Sequence, residues 1–226
     1  MNRINQSKQL VGQEAVKYIQ DGMKVGLGSG STVYYMVKAL GERVKAEGLN
    51  VVAISTSEVT GEWAKEFGIP LTDFSYTQEL DVAIDGADEV DDNLQLIKGG
   101  GGALFREKVV AAAAKEFIVI VDESKIVSTL GKFPLPVEIV PFGWEAVARK
   151  IEKLGGAPKL REKAGEIFVT DNGNYILDCA FEEIHDPVAT HEQLIALVGV
   201  VETGLFVDMT KKVIVADNGS TKLITK

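Results

Sequence analysis

Short, continuously apolar segments recur in the first 125 residues of this chain, and most are followed by a turn and a stretch with helical spacing. Strands that are apolar throughout are typical of parallel sheets covered by helices on both faces. The pattern predicts a doubly wound, mostly parallel α/β sheet of the Rossmann-like type. Its predicted strands cover residues 25–27, 51–54, 82–84 and 117–121, and its predicted helices cover residues 32–40, 57–67 and 103–116.

The composition of the sequence changes from residue 131 onward, where Pro134, Pro136 and Pro141 lie close together. Such a cluster is expected at a domain boundary. The order of the elements beyond it, β-α-β-β-α-β, resembles a split βαβ, ferredoxin-like unit. Strands are predicted at residues 137–140, 167–169, 175–179 and near Leu205, and helices at residues 144–154 and 191–198.

The last apolar segment, residues 213–216, has the continuous apolar character of a central parallel strand. We therefore predict that it returns to the first sheet, so that a smaller α+β domain is inserted into a larger α/β domain. The larger domain is expected to comprise residues 1–130 and 204–226, and the smaller one residues 131–203.

Charge and hydropathy exclude several classes of protein. The formal net charge is −9, which argues against a nucleic-acid binder because that class needs a basic face. No apolar run approaches the ~20 residues that span a bilayer, so a membrane protein is not expected. Residues 1–8 lack the charged-then-apolar layout of a signal peptide. We therefore expect a cytoplasmic protein, in which an anionic substrate would need a local basic pocket.

The single cysteine and the two histidines offer little for catalysis. Cys179 has no partner for an internal disulfide, in agreement with a reducing compartment, and its alternating surroundings favour a small core residue in a strand. His185 and His191 are six residues apart, a spacing that matches no metal-binding motif. We interpret them as surface residues and predict no metal site, with a metal site near them as the alternative.

Two segments after predicted strands have the residue types of a ligand site. Residues 26–32 read Gly-Leu-Gly-Ser-Gly-Ser-Thr, and a glycine turn before a helix lets backbone N–H groups approach a phosphate. The alternative is a plain glycine turn in which Ser31 or Thr32 caps the helix. Residues 85–89 read Asp-Gly-Ala-Asp-Glu, at the edge where open α/β sheets bind ligands. The alternative for these acids is a solvated turn.

A run of four glycines, residues 99–102, is the most unusual segment, because each glycine raises the entropic cost of ordering the loop. Such a loop suggests that a ligand needs its backbone. Lys98 precedes the run, and Glu107 lies one turn into the helix that follows, near its positive end. Lys125 lies just past another predicted strand. The alternatives are an exposed first-turn acid for Glu107 and solvated loop cations for Lys98 and Lys125.

Taken together and in this order, these segments resemble the ribose-5-phosphate isomerase A family over nearly the whole chain. The resemblance includes residues 8–12, Lys-Gln-Leu-Val-Gly, and residues 204–207, Gly-Leu-Phe-Val. Two departures are small: Ser29 stands where threonine is common, and Gly102 where alanine is frequent. The resemblance implies interconversion of ribose 5-phosphate and ribulose 5-phosphate without a cofactor, by a homodimer or a dimer of dimers.

The resemblance also implies roles for individual residues. Glu107, in the Arg-Glu-Lys triplet, corresponds to the proton acceptor of the family. Moving a carbonyl between C1 and C2 needs such a base and groups that stabilise the enediolate oxygens, which we assign to Lys98 and the glycine-loop amides. Asp85 or Asp88 is assigned to ring opening and proton transfer between oxygens. The predicted substrate-binding residues are Lys8, Ser29, Gly30, Ser31, Thr32, Asp85, Gly86, Ala87, Asp88, Lys98, Gly99, Gly100, Gly101 and Lys125.

Three other classes of protein are rivals. A hydride-shift isomerase needs two divalent metals held by several carboxylates and histidines, and this chain has only two histidines. A sugar-phosphate sensor that regulates transcription would carry a helix-turn-helix extension or a basic face. A CoA-transferase-like enzyme has a related fold and a glutamate nucleophile, and the fold alone does not separate it from an isomerase.

Overall fold

A computed structural model describes residues 3–226 of the chain. Its α-helices are α1 (Arg3–Ala15), α2 (Ser31–Glu47), α3 (Glu58–Phe67), α4 (Leu104–Ala112), α5 (Trp144–Lys153) and α6 (Pro187–Ile195). Its strands are β1 (Lys24–Leu27), β2 (Val52–Ser55), β3 (Leu80–Asp85), β4 (Glu89–Val90), β5 (Leu96–Ile97), β6 (Ala114–Asp122), β7 (Leu135–Ile139), β8 (Ala157–Leu160), β9 (Glu162–Lys163), β10 (Glu166–Ile167), β11 (Tyr175–Ala180), β12 (Val200–Thr203), β13 (Leu205–Phe206), β14 (Lys212–Asp217) and β15 (Ser220–Thr225). Short 3₁₀ helices cover Val16–Tyr18 and Glu123–Lys125.

The chain divides into two compact units. The first contains the chain up to Ala87 together with Arg106–Lys125 and Met209–Lys226, and the second contains Asp88–Phe105 and Ile126–Asp208. The sequence places residues 88–105, 126–130 and 204–208 in the larger domain, whereas in the structure they belong to the second unit. The reason is that β4 pairs with β5 and β5 pairs with β13, so three short strands form a sheet of their own.

A six-stranded sheet with the order β15-β14-β6-β3-β1-β2 is the centre of the first unit. Every neighbouring pair is parallel except β14 and β15. The doubly wound, mostly parallel fold is confirmed, and so is the return of the last apolar segment, because β14 pairs with β6. The antiparallel edge strand β15 and the first helix, α1, were not predicted.

The predicted helices of the first unit are present with shifted ends. Helix α2 continues past residue 40 to Glu47, and Gly41 lets it approach α3, since a Cβ there would lie 2.5 Å from the Cβ of Phe67. Ser57 caps α3 by accepting a hydrogen bond from the backbone N–H of Thr60. Helix α4 is shorter than predicted because β6 already begins at Ala114.

An antiparallel sheet with the strand order β12-β7-β11-β8 forms the body of the second unit. With α5 and α6 inserted along the chain, this order is that of the predicted ferredoxin-like arrangement. Apolar residues on one face of β7 and β11, including Val137 and Leu177, join the core with Val147 and Ile151 of α5.

Two strands of this sheet were predicted at the wrong residues. The neighbour of β11 is β8 at Ala157–Leu160, not residues 167–169. Pro158 removes an N–H group and weakened the strand signal, but β8 is an edge strand, where proline is tolerated. The fourth strand is β12 at Val200–Thr203, whereas Leu205 belongs to β13 and pairs with β5.

Helix α6 begins at Pro187, earlier than the predicted residue 191, because Asp186 caps it by accepting a hydrogen bond from the N–H of Ala189. Cys179 is fully buried in β11, as predicted, and burial raises the pKa of its thiol well above the ordinary value, with a smaller contribution from Asp178. Between residues 3 and 226, no helix is long and apolar enough to cross a membrane.

Candidate active site

The predicted site residues are divided between the two units, and each set is described within its own unit. Lys8, the turn at residues 28–32, Asp85 to Ala87, Glu107 and Lys125 lie in the first unit. Asp88 and the segment from Lys98 to Gly102 lie in the second unit.

Gly28 and Asp85 lie at the ends of the adjacent parallel strands β1 and β3. The chain runs from β1 to β2 on one side and then crosses to β3 on the other side, so β1 and β3 flank the point where the strand order reverses. Open α/β sheets bind ligands outside the carboxyl ends of their strands at such a point. The structure therefore places the predicted turn and the first predicted aspartate at the expected edge.

The Asp85 carboxylate is built into the glycine turn. Its Oδ1 accepts hydrogen bonds from the N–H groups of Ser29, at 3.0 Å, and Gly86, at 2.7 Å. A Cβ on Gly28 would lie 2.1 Å from the Cγ and Oδ1 of Asp85, so only glycine fits there. Asp85 is 2 % exposed. The alternative of a solvated turn is wrong for this residue.

Sequence reasoning missed a group of hydroxyls beside Ser29. The Ser29 Oγ lies 2.7 Å from Oγ1 of Thr56 and donates to Oγ of Ser57 at 2.8 Å. The Thr60 hydroxyl donates to the carbonyl oxygen of Gly28 at 2.9 Å. The available signal was the position of Thr56 and Ser57 directly after β2, at the same sheet edge as Gly28.

Helix α2 begins at Ser31 without a side-chain cap. Gly30 is the N-cap with φ of 101°, a backbone conformation that favours glycine, and no side chain there caps the helix. The alternative in which Ser31 or Thr32 caps the helix is therefore wrong. Ser31 Oγ instead accepts a hydrogen bond from Nζ of Lys8 at 2.7 Å. A cation and a helix N-terminus thus meet at this turn, an arrangement that suits an anion.

Glu107 lies in the first turn of α4, as predicted, but it is 5 % exposed rather than a surface acid. One turn later, Val110 contacts Gly26 of β1, where a Cβ would lie 2.5 Å from Val110 Cγ1. The helix therefore packs on the sheet by the face that carries both residues. A buried carboxylate at the start of a helix can accept and return a proton while shielded from bulk water.

Lys125 ends the 3₁₀ helix that follows β6, and it is partly buried. Because β6 is parallel to β3, Lys125 follows the same edge of the sheet as Asp85. Its position after a parallel strand is the predicted one.

In the second unit, Asp88 contacts the glycine loop. Its Oδ2 accepts a hydrogen bond from the N–H of Gly100 at 2.7 Å, and a Cβ on Gly100 would lie 2.6 Å from its Oδ1. Gly99 and Gly102 are buried and adopt positive φ of 102° and 89°. Gly100 and Gly101 are exposed. The loop therefore presents backbone, as the four glycines predicted.

Lys98 is 2 % exposed, so it is not a solvated loop cation. Its Nζ lies 5.3 Å from the centre of the Phe206 ring. Its backbone N–H donates to the carbonyl oxygen of Gly204 at 2.9 Å. Both the main chain and the side chain of Lys98, which precedes the glycine loop, are therefore held by contacts.

Two further side chains on the glycine loop were not predicted. The Arg161 guanidinium donates to the carbonyl oxygens of Gly99 and Gly100. The Phe168 ring occupies the space beside Gly102, where a Cβ would lie 2.4 Å from its Cζ. Both residues are remote from the loop in sequence, and no local pattern indicates them.

The histidines make local contacts. His185 Nε2 lies 3.0 Å from a carboxylate oxygen of Glu183, and His191 Nδ1 lies 2.8 Å from the Thr203 hydroxyl. Within residues 3–226, no group of three or more His, Cys, Asp or Glu side chains could hold a metal ion.

Comparison with known proteins decides the family. The family model described as ribose 5-phosphate isomerase A (phosphoriboisomerase A) matches residues 52–220. The chain belongs to the ribose 5-phosphate isomerase A family. The match includes Asp85, Asp88, Lys98, Glu107 and Lys125.

Ribose-5-phosphate isomerase A relatives are similar to the chain over almost its full length. Ribose-5-phosphate isomerase A 1 of Oceanobacillus iheyensis is 57% identical over 217 residues, which cover 96% of this chain and 97% of the relative. The ribose 5-phosphate isomerase A structure from Methanocaldococcus jannaschii has a TM-score of 0.93 at 41% identity, covering 97% of this chain and 98% of the other. A D-ribose-5-phosphate isomerase in complex with phospho-erythronic acid has a TM-score of 0.96 at 39% identity, and both chains are covered completely.

Proposed function

We propose that this chain interconverts D-ribose 5-phosphate and D-ribulose 5-phosphate by proton transfer through a cis-enediolate, as a step of the non-oxidative pentose phosphate pathway. The observation that carries the proposal is the buried Glu107 carboxylate in the first turn of the helix that follows the four-glycine loop. Family membership supports the same reaction, and it disfavours the rival metal isomerase, sensor and CoA-transferase classes.

Glu107 is proposed as the base. It removes the proton from C2 of the open-chain aldose and returns it to C1, so that one carboxylate serves both half-reactions. The electrons of the broken C2–H bond form the C1–C2 double bond, and the carbonyl oxygen on C1 becomes the enediolate oxygen. The proton on O2 passes to O1, and reprotonation at C1 then leaves the carbonyl on C2.

Lys98 and the glycine-loop amides are proposed to stabilise the enediolate, and Gly99, Gly100 and Gly101 are proposed to contact the substrate. Charge that develops on an oxygen is stabilised most by donors whose positions are fixed before the reaction. The loop offers such a donor in the exposed Gly101, and the hydrogen bond from the N–H of Gly100 to Asp88 holds the loop in place beside it.

The remaining predicted residues are proposed to bind the sugar and the phosphate. Lys125, Lys8 and the turn from Ser29 to Thr32 supply positive charge, hydroxyls and a helix N-terminus, which suit a phosphate. The segment from Asp85 to Asp88, with Gly86 and Ala87 between them, is proposed to contact the sugar. Its two aspartates are proposed to assist ring opening and proton transfer between O1 and O2.

Assembly and location are also proposed from the family resemblance. We expect a homodimer or a homotetramer, cofactor-free, in the cytoplasm, where the lone buried thiol of Cys179 would stay reduced. Light scattering on the purified protein would distinguish a dimer from a tetramer, and a monomer would contradict the proposal.

The experiment that tests the reaction is a coupled assay for ribulose 5-phosphate, run beside an assay for acyl-CoA transfer. In deuterated water the product should carry solvent deuterium, because a proton on a carboxylate exchanges during the lifetime of the enediolate. Acyl transfer without isomerisation would overturn the proposal. Isomerisation without any deuterium incorporation would instead indicate a direct hydride shift.

A further inference from the structure

Arg161 connects the antiparallel sheet of the second unit to the glycine loop. It follows β8 directly, and its Nη1 donates to the carbonyl oxygens of Gly99, at 2.9 Å, and Gly100, at 3.3 Å. The partners are 62 and 61 residues apart in sequence. Two consecutive peptide groups of the loop are therefore held by one side chain.

The guanidinium is itself fixed. Its Nε donates to Oδ2 of Asp178 at 2.9 Å, and its Nη2 bonds Oδ1 of the same carboxylate. The Arg161 side chain is only 13% exposed, and its Cζ lies 5.8 Å from the centre of the Phe168 ring. A planar, forked donor held by a carboxylate on one side can present its remaining N–H groups in a fixed direction.

Holding these two carbonyl groups sets the direction of two N–H groups. The peptide bonds of the loop are trans, and in a trans peptide the C=O and the next N–H point in opposite directions. The N–H of Gly100 therefore points away from Arg161, where Asp88 accepts its hydrogen bond at 2.7 Å. By the same geometry the N–H of Gly101, an exposed residue, points away from Arg161.

We propose that Arg161 is a positioning residue for catalysis. It orients the peptide groups of Gly99–Gly100 and Gly100–Gly101 so that the N–H of Gly100 meets Asp88 and the loop presents the N–H of Gly101 to the developing enediolate. This inference rests on the proposed function. Glycine samples positive and negative φ almost equally, so a loop of four glycines keeps one arrangement only if other groups impose it. Within the loop, the N–H of Gly102 donates to the carbonyl oxygen of Gly99 at 2.9 Å. Arg161 adds its constraint from the carbonyl side and Asp88 from the amide side.

The test compares Arg161→Met and Arg161→Lys with the wild type in steady-state kinetics. Arg161→Met keeps the length of the stem and removes every donor, so kcat should fall about 10- to 100-fold while KM changes less than about threefold. Arg161→Lys should recover only part of kcat, because an ammonium is a point charge and does not replace the fork on two carbonyl groups and a carboxylate. The affinity for phospho-erythronic acid should fall with kcat, whereas the affinity for inorganic phosphate should not.

Two controls separate positioning from a general loss of stability. Val147→Ala removes buried apolar groups from the core of the second unit without touching the loop, so it should lower thermal stability with little loss of kcat. Arg149→Met removes the same charge from an exposed position on α5 and should behave as the wild type. Equal losses of kcat in Val147→Ala and Arg161→Met would overturn the proposal.

A second readout does not depend on activity. In amide hydrogen exchange on the substrate-free protein, Arg161→Met should accelerate exchange of the peptide that spans residues 98–104, and Arg149→Met should not. Unchanged exchange together with unchanged kcat would overturn the inference. A wild type that fails to isomerise ribose 5-phosphate would overturn the proposed function instead, whatever the exchange result.

Discussion

The two units position their functional groups in different ways. In the first unit, Asp85 and Lys125 follow the ends of parallel strands, so the sheet itself sets their places. In the second unit, the proposed functional element is the backbone of the glycine loop, which is contacted by side chains that are distant in sequence, such as Arg161. A strand end positions a side chain by topology alone, whereas a glycine loop needs partners because its own residues impose almost no conformation.

Asp85 and Asp88 show the same contrast between the two units. Each packs against a glycine and accepts a hydrogen bond from at least one backbone N–H group. Asp85 is buried at the end of β3, while Asp88 is partly exposed and holds the loop by one contact. Substitutions at the predicted site of the first unit should therefore reduce activity more than substitutions in the second.

The largest effect should come from Glu107. Glu107→Gln keeps the size of the side chain but does not act as a base near neutral pH, so kcat should fall by about two to four orders of magnitude. Binding of substrate should survive, because the proposed phosphate contacts lie elsewhere. Stopped assays at saturating ribose 5-phosphate would measure the loss, with Glu66→Gln on the exposed surface of α3 as the matched control. Near-normal turnover would transfer the role to Asp85 or Asp88.

Substituting the glycine that packs against each aspartate allows a direct comparison of the two units. A methyl group on Gly28 would collide with Cβ and Cγ of the buried Asp85, so Gly28→Ala must displace the carboxylate and should lower kcat about 100-fold. On Gly100 the collision is with the far end of the partly exposed Asp88 side chain, which can turn aside, so Gly100→Ala should cost about tenfold or less. A larger loss in Gly100→Ala would reverse the comparison.

Lys125 tests the binding role of the first unit. Lys125→Ala should mainly raise KM, by about 10- to 150-fold, if it removes a charge-assisted contact worth roughly 1.5–3 kcal/mol. Free ribose should be a very poor substrate for the wild type. The exposed Lys65→Ala serves as the control. Equal turnover of ribose and ribose 5-phosphate would show that the phosphate is not an anchor.

The smallest effect should follow metal removal. Both units are proposed to supply every catalytic group from the protein itself, so exhaustive chelation should leave kcat and KM unchanged. The measurement is the same coupled assay after treatment with a strong chelator. If activity disappeared and a single divalent ion restored it, the proposed division of roles would fail in both units.

The same contrast explains what the sequence could and could not predict. Strand ends are visible in a sequence, so Asp85 and Lys125 were placed at the correct edge of the sheet. The four glycines indicated a site made of backbone groups. The neighbouring sequence does not indicate Arg161 or Phe168, because contacts between distant residues leave no local pattern. Strand β8 was missed because Pro158 is a poor strand residue that an edge strand tolerates. Hydroxyls such as Thr56 were missed because serine and threonine are common in the turns that follow strands.

The route of the chain through the two units has a consequence for folding kinetics. The chain passes from one unit to the other at four places, after Ala87, Phe105, Lys125 and Asp208. Strand β14 pairs with β6, and the paired residues Lys212 and Ile118 are far apart in sequence. The first sheet is therefore incomplete on the ribosome until the last residues emerge, and β6 exposes an unpaired apolar edge until then. Such non-local pairing is characteristic of slow folding, so refolding should be far slower than that of a helical protein of this size.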